Sequence, residues 1–223
     1  MRNFTNGGSL IAALAMIIFM AGCTTADFNA SRDGWNAPEY VYQPPRIKRK
    51  YETALATMES GDDLAAAAEF RQFIITHPQY PGAYVNLAII YARQERPDEA
   101  LAVLDESLEI APEYVYALNQ QGIIKRHEGD FEGAKDAWLR ATKSDPTYAN
   151  AWYNLGVLHD LYLQDLPAAL EAYRRYQEVL VSTDKPTGEN VVVEADVEVA
   201  RWIADIERRI GTPSQAASTV EIR

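Results

Sequence analysis

Two stretches of the chain, ALAVLDESLEIAPEYVYALNQQG at 100–122 and AKDAWLRATKSDPTYANAWYNLG at 134–156, follow one pattern 34 residues apart. Each opens on an alanine, carries a Pro-x-Tyr in its middle and ends on a glycine. The register extends back to Ala66, so that six columns keep the same 34-residue spacing. The columns are Ala66, Ala100, Ala134; Phe70, Leu104, Trp138; Pro78, Pro112, Pro146; Tyr80, Tyr114, Tyr148; Tyr84, Leu118, Trp152; and Ala88, Gly122, Gly156. Such a period predicts stacked copies of one small structural unit.

This pattern resembles the tetratricopeptide repeat (TPR) family. The resemblance implies an all-α fold, a right-handed α-solenoid of about four helix pairs plus a C-terminal capping helix. We expect an array over residues 46–183, with units 47–80, 81–114, 115–148 and 149–183. In the fourth unit the Ala-x-x-x-aromatic pair is Ala169 and Tyr173, one residue late, and we place the extra residue in the interhelix loop.

The residue types fit the geometry of such units. Small side chains at Ala88, Gly122 and Gly156 suit the closest approach of paired helices, whereas large ones fill the space between units. We expect the latter at Phe70, Trp138, Trp152 and Tyr173. Gly61-Asp62 and Gly129-Asp130 indicate turns between helices. The cap is expected over 190–211, where Val199, Trp202, Ile203, Ile206 and Ile210 form a helical stripe, and 212–223 is expected to be a disordered tail.

The sequence of the N-terminal segment predicts export and attachment to a membrane. Residues 9–21, SLIAALAMIIFMA, form an uncharged apolar run of the length of a signal-peptide core. Met20-Ala21-Gly22-Cys23 then resembles the lipobox of bacterial lipoproteins, with Met20 in place of the usual leucine. We expect a signal peptide over 1–22, lipidation of Cys23 and a flexible tether over 23–45. Thr24, rather than aspartate, after the cysteine implies sorting to the outer membrane, with the chain on its periplasmic face.

Four positive charges follow in RIKRK at 46–50. They suit either a solvated first helical turn or contact with anionic lipid.

The whole chain carries a net charge of -11, which argues against nucleic-acid binding. One cysteine and three histidines argue against a disulfide framework or a metal centre. No phosphate-binding loop or hydrolase motif is present. We therefore expect that the protein is not an enzyme and that it has no catalytic residue, no metal and no cofactor.

A partner-binding groove is what remains. In TPR proteins the first helix of each pair lines the inner face, and its outward positions touch the ligand. Carried onto this sequence, those positions combine amides, tyrosines and aliphatics, which suit an extended or helical peptide better than a terminal carboxylate. We expect them to be surface positions, away from the packing columns. They are Val85, Asn86, Ile89, Arg93, Tyr116, Asn119, Gln120, Ile123, Arg126, Asn150, Tyr153, Asn154 and Val157.

The leading functional hypothesis is a non-enzymatic scaffold or adaptor lipoprotein that helps to assemble or position an envelope complex. Alternatives are a pilotin-like factor for type IV pilus biogenesis, an accessory component of a TonB-type system, and an adaptor for a cell-wall hydrolase or protease. Two other classes stay open: an enzyme subunit or regulator whose site the sequence does not reveal, and a structural oligomer that pairs through the helix of Trp202.

Overall fold

The computed structural model describes residues 45–183 and 196–211 of the 223-residue chain. This part of the chain is entirely helical, which confirms the all-α prediction. The α-helices are α1 Pro45–Glu59, α2 Asp63–Thr76, α3 Pro81–Arg93, α4 Pro97–Ile110, α5 Val115–His127, α6 Phe131–Ser144, α7 Ala149–Val157, α8 Leu166–Thr183 and α9 Val197–Gly211, with a π-helix, Leu158–Leu163, after α7. None of these helices is long and apolar enough to cross a membrane.

The predicted signal peptide 1–22, Cys23, nearly all of the tether 23–45 and the tail 212–223 lie outside the described residues. The helices form two compact units that divide between Ala111 and Pro112. The first contains α1 to α4 and the second contains α5 to α9.

In the first unit, α1 pairs with α2, α3 pairs with α4, and α2 also packs on α3. Phe70 and Leu104, from the predicted packing column, are fully buried. Edge-on ring contacts join Tyr51 to Phe70 and Phe73, with centroid distances of 5.8 and 5.4 Å. Ser107 of α4 donates a hydrogen bond of 3.1 Å to the Pro81 carbonyl at the start of α3.

In the second unit, α5 pairs with α6 and α7 pairs with α8. Trp138 and Tyr173 are fully buried, whereas Trp152 is only half-buried and donates to the Pro146 carbonyl at 2.9 Å. We expected these rings to fill the space between units, but the Trp138 and Tyr173 rings each lie against a glycine of their own helix pair. The glycines opposite these rings are required by close approach. A Cβ added at Gly122 would overlap the Trp138 indole, and one at Gly156 would overlap the Tyr173 ring.

The turn between paired helices has a common construction. Gly61 and Gly129 adopt φ of 85° and 82°, a left-handed conformation that glycine enters without a steric penalty. The next residue caps the second helix: Asp62 accepts from the Ala65 amide at 3.0 Å, and Asp130 accepts from the Gly133 amide at 2.9 Å. Both Gly-Asp pairs therefore mark helix-to-helix turns, as the sequence predicts.

The fourth helix pair differs from the prediction in where it places its extra residue. We expected an insertion in the interhelix loop, but the structure absorbs it in the π-helix Leu158–Leu163, which ends at Gln164 in the left-handed conformation. A π-helical turn accommodates one residue more than an α-helical turn. The connection from Leu163 to α8 at Leu166 is accordingly short.

The C-terminal helix α9 packs on α8. Val199 and Ile206 of α9 are buried against Ala169 and Tyr173 of α8, with Trp202 and Ile203 packed around them. Ile210, which we placed on the same apolar stripe, is 46% exposed.

Candidate partner-binding surface

In the first unit, the predicted groove residues divide into buried and accessible positions. Val85 and Asn86 are fully buried, Ile89 is half-buried and Arg93 is exposed. The expectation that Val85 and Asn86 are surface positions is wrong, and the Asn86 amide nitrogen donates to the Tyr51 hydroxyl at 2.8 Å. Arg93 forms an exposed ion pair of 3.4 Å with Asp63 of α2.

In the second unit, two predicted groove residues are also buried. Asn119 is fully buried and Gln120 is 5% exposed, so that both expectations of a surface position are wrong. The remaining positions on α5 and α7 are half-buried. They are Tyr116, Ile123, Arg126, Asn150, Tyr153, Asn154 and Val157.

The burial of Asn119 has a clear physical cause. Its Oδ1 accepts from the Trp138 indole at 3.1 Å and from the Asn154 amide nitrogen at 2.9 Å. The Asn119–Asn154 bond joins two first helices, α5 and α7, and spans 35 residues. The Tyr51–Asn86 bond spans the same interval between α1 and α3. In both units, a direct side-chain hydrogen bond thus joins neighbouring first helices.

Three nitrogens of α5 remain unpaired among the described residues. They are Asn119 Nδ2, Gln120 Nε2 and Arg126 Nε, and each is shielded from solvent. The orientation of the Asn119 amide follows from its hydrogen bonds. Its oxygen accepts from Trp138 and Asn154, so its nitrogen is the atom that has no partner. A buried donor without a partner lowers the stability of the folded protein by about 1–3 kcal/mol. An acceptor that reaches these nitrogens would remove that cost.

Aromatic rings lie near both ends of α5. The Arg126 guanidinium lies 5.8 Å from the ring centroids of both Trp138 and Tyr162. Burial raises the pKa of the Tyr153 hydroxyl, the charges of Asp196 and Glu198 add to this shift, and the positive charge of Arg126 opposes it. At the other end of α5, the Tyr116 ring contacts those of Tyr114 and Tyr148 at 5.2 and 5.4 Å.

Part of the predicted groove is covered by the chain itself. Tyr153 and Val157 pack against the cluster formed by α8 and the cap helix. The Tyr153 ring lies 5.4 Å from that of Tyr176 and 6.2 Å from that of Trp202. These two groove positions are thus shared with the cap, whereas Tyr116, Ile123 and Asn150 lie outside that cluster. Whether any of the set contacts a partner stays a prediction.

Sequence reasoning missed the aromatic contribution of the π-helix. Tyr162 is 37% exposed and its ring lies 4.9 Å from that of Phe131. Leu161 beside it is 66% exposed. The one-residue offset of Ala169 and Tyr173 was the available signal, but it did not reveal which helix absorbs the extra residue. Within the described ranges, no group of three histidine, cysteine, aspartate or glutamate side chains is placed to hold a metal ion.

Comparison with solved structures shows the same architecture in other repeat proteins. The chain superposes on MamA with a TM-score of 0.56 at 19% identity, covering 77% of this chain and 87% of that one. For pilF of Pseudomonas aeruginosa the TM-score is 0.60 at 18% identity, with 74% and 68% covered. For YrrB it is 0.50 at 22% identity, with 62% and 70% covered. At these identities the likeness is one of fold.

Curated relatives match over part of their length. The uncharacterized protein y4yS of Sinorhizobium fredii is 32% identical over 95 residues, which are 43% of this chain and 52% of that protein. Anaphase-promoting complex subunit 3 of Schizosaccharomyces pombe is 25% identical over 118 residues, 52% of this chain and 17% of that protein. The chain thus spans about half or less of the length of these relatives.

A family model described as Tetratricopeptide repeat matches residues 51–115 and 119–184, more than half of the chain. The matched residues contain most of each helix pair, the buried Phe70, Leu104 and Trp138, and both Gly-Asp turns. The chain belongs to the tetratricopeptide repeat family.

Proposed function

We propose that this protein is a non-enzymatic adaptor that binds a segment of a partner protein on the α5 and α7 face of its second unit. A lipid on Cys23 anchors it at the periplasmic face of the outer membrane, where it assists the assembly or positioning of an envelope complex. The observation that carries the binding proposal is the set of unpaired donors on α5, namely Asn119 Nδ2, Gln120 Nε2 and Arg126 Nε.

Unpaired donors define the chemistry of the partner. A polypeptide in extended conformation presents a row of carbonyl oxygens, which are the acceptors that amide and guanidinium nitrogens require. Because the donors are shielded in the unbound protein, a modest movement of the side chains above them precedes contact. Each donor that gains an acceptor removes a cost the free protein already bears, and this difference contributes to affinity.

The surrounding residues favour a peptide over a small molecule. Tyr116 offers a rigid ring at low entropic cost, and Asn150 offers both a donor and an acceptor. Among fold neighbours, YrrB is described as a TPR protein with an unusual peptide-binding site, which supports a peptide ligand for this architecture.

The first prediction separates binding from stability. We expect Gln120→Met with Arg126→Met to weaken partner binding about tenfold or more, since two donors worth roughly 0.5–1.5 kcal/mol each are removed. The same pair should leave the melting temperature unchanged or raise it, because methionine keeps the volume of each stem and removes an unpaired buried nitrogen. Binding is measured by crosslinking in native envelopes and mass spectrometry, and stability by thermal unfolding.

The matched control is Gln72→Met with Arg140→Met, the same chemical changes at exposed positions of α2 and α6. It should recover every specific partner as the wild type does. Equal recovery by the groove variant would place the binding surface elsewhere on the protein. A large loss of stability in the groove variant would show that these nitrogens have structural partners.

The lipid anchor is proposed from the sequence at residues 9–23. Cys23 is the one cysteine of the chain, and it stands where the lipobox resemblance requires an acyl-accepting thiol. Two or three acyl chains give stable membrane attachment, whereas one gives marginal binding.

The second prediction tests this anchor. We expect Cys23→Ser to block maturation, so that the precursor accumulates at higher mass, fails to incorporate radiolabelled palmitate and loses its normal membrane fractionation. Cys23→Ala serves as a second variant with the same expected result. Normal processing and unchanged outer-membrane recovery of both variants would refute lipidation.

The envelope complex served by the adaptor is the finer question. A pilotin-like role in type IV pilus biogenesis is the second candidate, and it rests on the size of the chain and its lipobox-like signal. Crosslinking of the wild-type protein in intact cells distinguishes it from the TonB-type and cell-wall alternatives, because each predicts a different class of captured partner.

A further inference from the structure

Helix α1 begins with a cluster of cations. Arg46, Lys48, Arg49 and Lys50 fall within its first six residues, and all four are exposed. The first turn contains no acidic residue. Lys48 lies 3.7 Å from Glu52 in an exposed pair, whereas no ion pair to a described residue occupies Arg46, Arg49 or Lys50.

The three unpaired cations share one face of the helix. Arg46, Arg49 and Lys50 stand at positions i, i+3 and i+4, which are neighbours on a helical surface. The buried side of α1 carries Tyr51, Ala54, Leu55 and Met58. The acids of the helix, Glu52 and Glu59, are seven residues apart and share the stripe of Lys48 instead. Arg46, Arg49 and Lys50 therefore form a cationic face.

This cationic face is electrostatically unfavourable for its own helix. The N-terminus of a helix carries a partial positive charge, which repels cations placed in the first turns. Arg46 and Lys50, four residues apart, also repel each other. An external anionic surface relieves both repulsions when it covers the face.

We propose that the cationic face of α1 binds the anionic headgroups of a phospholipid bilayer. The choice of a bilayer rests on the proposed lipid anchor, since α1 starts 22 residues after Cys23. At about 3.3–3.6 Å per residue that connection keeps the face within roughly 75 Å of the membrane even when fully extended. The first turn of α1 is the part of the described array nearest to the anchor along the chain.

The negative charge of the rest of the protein determines which of its surfaces faces the bilayer. Without residues 1–22 the chain has a net charge of -12, because only Arg2 is lost. A negatively charged bilayer repels most of such a surface and attracts the cationic face, so the array meets the membrane by the start of α1. The attraction acts over about a Debye length, roughly 8–10 Å at physiological salt, and weakens as salt is added.

The test uses the unlipidated chain from Thr24 to Arg223, which retains every helix described. Its sedimentation with vesicles of three parts phosphatidylethanolamine to one part phosphatidylglycerol is compared with that on phosphatidylcholine vesicles. We expect binding to the anionic vesicles at 50 mM NaCl that falls at least tenfold at 300 mM. The variant Arg46→Gln, Arg49→Gln, Lys50→Gln should bind at least tenfold more weakly than the wild type.

A charge-matched control removes three exposed cations elsewhere: Arg140→Gln, Lys143→Gln and Arg201→Gln. It has the same net charge as the α1 variant and should retain vesicle binding within about twofold. Circular dichroism checks that both variants fold. Equal loss in both variants, equal binding to both vesicle types, or equally tight binding to duplex DNA would overturn the proposal. Because no lipid is attached, the outcome is independent of Cys23 acylation and of the groove.

Discussion

At the scale of single residues, one backbone position recurs in each turn between paired helices. Gly61, Glu95, Gly129 and Gln164 all adopt a left-handed conformation, with φ of 85°, 58°, 82° and 54°. The first three are 34 residues apart, and the fourth is shifted by the extra residue of the π-helix. The turn thus fixes the conformation, and the residue type determines how much strain it carries.

The third prediction follows from this strain. A Cβ added at Gly129 meets no atom within 4 Å, so Gly129→Ala changes only the backbone energy. We expect it to lower the free energy of unfolding by about 1 kcal/mol, the cost of a left-handed alanine. The reciprocal change Glu95→Gly should be neutral or slightly stabilising. Urea unfolding measures both, and an unaffected Gly129→Ala variant would mean that this turn can relax into another conformation.

At the scale of elements, the sequence predicts the helix pairs well and the groove poorly. The columns of Phe70, Leu104 and Trp138 identify buried faces because large apolar side chains fill one kind of site in every unit. The same reasoning fails for Asn86 and Asn119. Polar amide side chains are expected at the surface, yet both are buried, where hydrogen bonds satisfy part of each amide group.

The π-helix shows a second limit of sequence reasoning. An extra residue appears as a shift of later columns, but several local conformations accommodate it equally well by spacing alone. In the structure the π-helical turn places His159 beside Asp165 and Asp160 beside Arg209 of α9, and it leaves Leu161 exposed. The packing of that helix end, which spacing does not encode, decides the outcome.

The fourth prediction concerns His159 in this π-helix. Burial lowers the pKa of His159, although the charge of Asp165, whose Oδ2 lies 3.8 Å from Nδ1, opposes the shift. Since the unfolded chain then binds the proton more readily, stability is complete above the ordinary histidine pKa of about 6.5 and falls as the pH drops through it. His159→Gln should flatten this part of the pH dependence between pH 7.5 and 5.5, measured by thermal unfolding. An identical pH dependence in wild type and variant would contradict the burial of this ring.

At the scale of the whole molecule, TPR units depend on their neighbours for burial, and the last pair here depends on α9. Asp196 connects α9 to α8, the second helix of that pair. Its Oδ1 accepts from the amides of Glu198 and Val199 at 3.0 and 3.1 Å, which caps α9. Its Oδ2 lies 3.2 Å from the Tyr176 hydroxyl, and its backbone exchanges two hydrogen bonds with the Gln177 side chain. One residue thus fixes both the start of the cap helix and its attachment to α8.

The fifth prediction tests this dependence on neighbours. Asp196→Ala removes the helix cap and the contact with Tyr176, so we expect it to destabilise α9 by about 1–2 kcal/mol. In a nearest-neighbour array the loss should appear first in α8, where Ala169 and Tyr173 become exposed, and should leave α1 and α2 unchanged. Hydrogen exchange with mass spectrometry measures this as faster exchange in peptides from 166–181 and unaltered exchange in peptides from 51–76. Asp196→Asn, which keeps a capping oxygen, should lie between the alanine variant and the wild type. A uniform loss of protection along the whole chain would show that the array unfolds as one cooperative body.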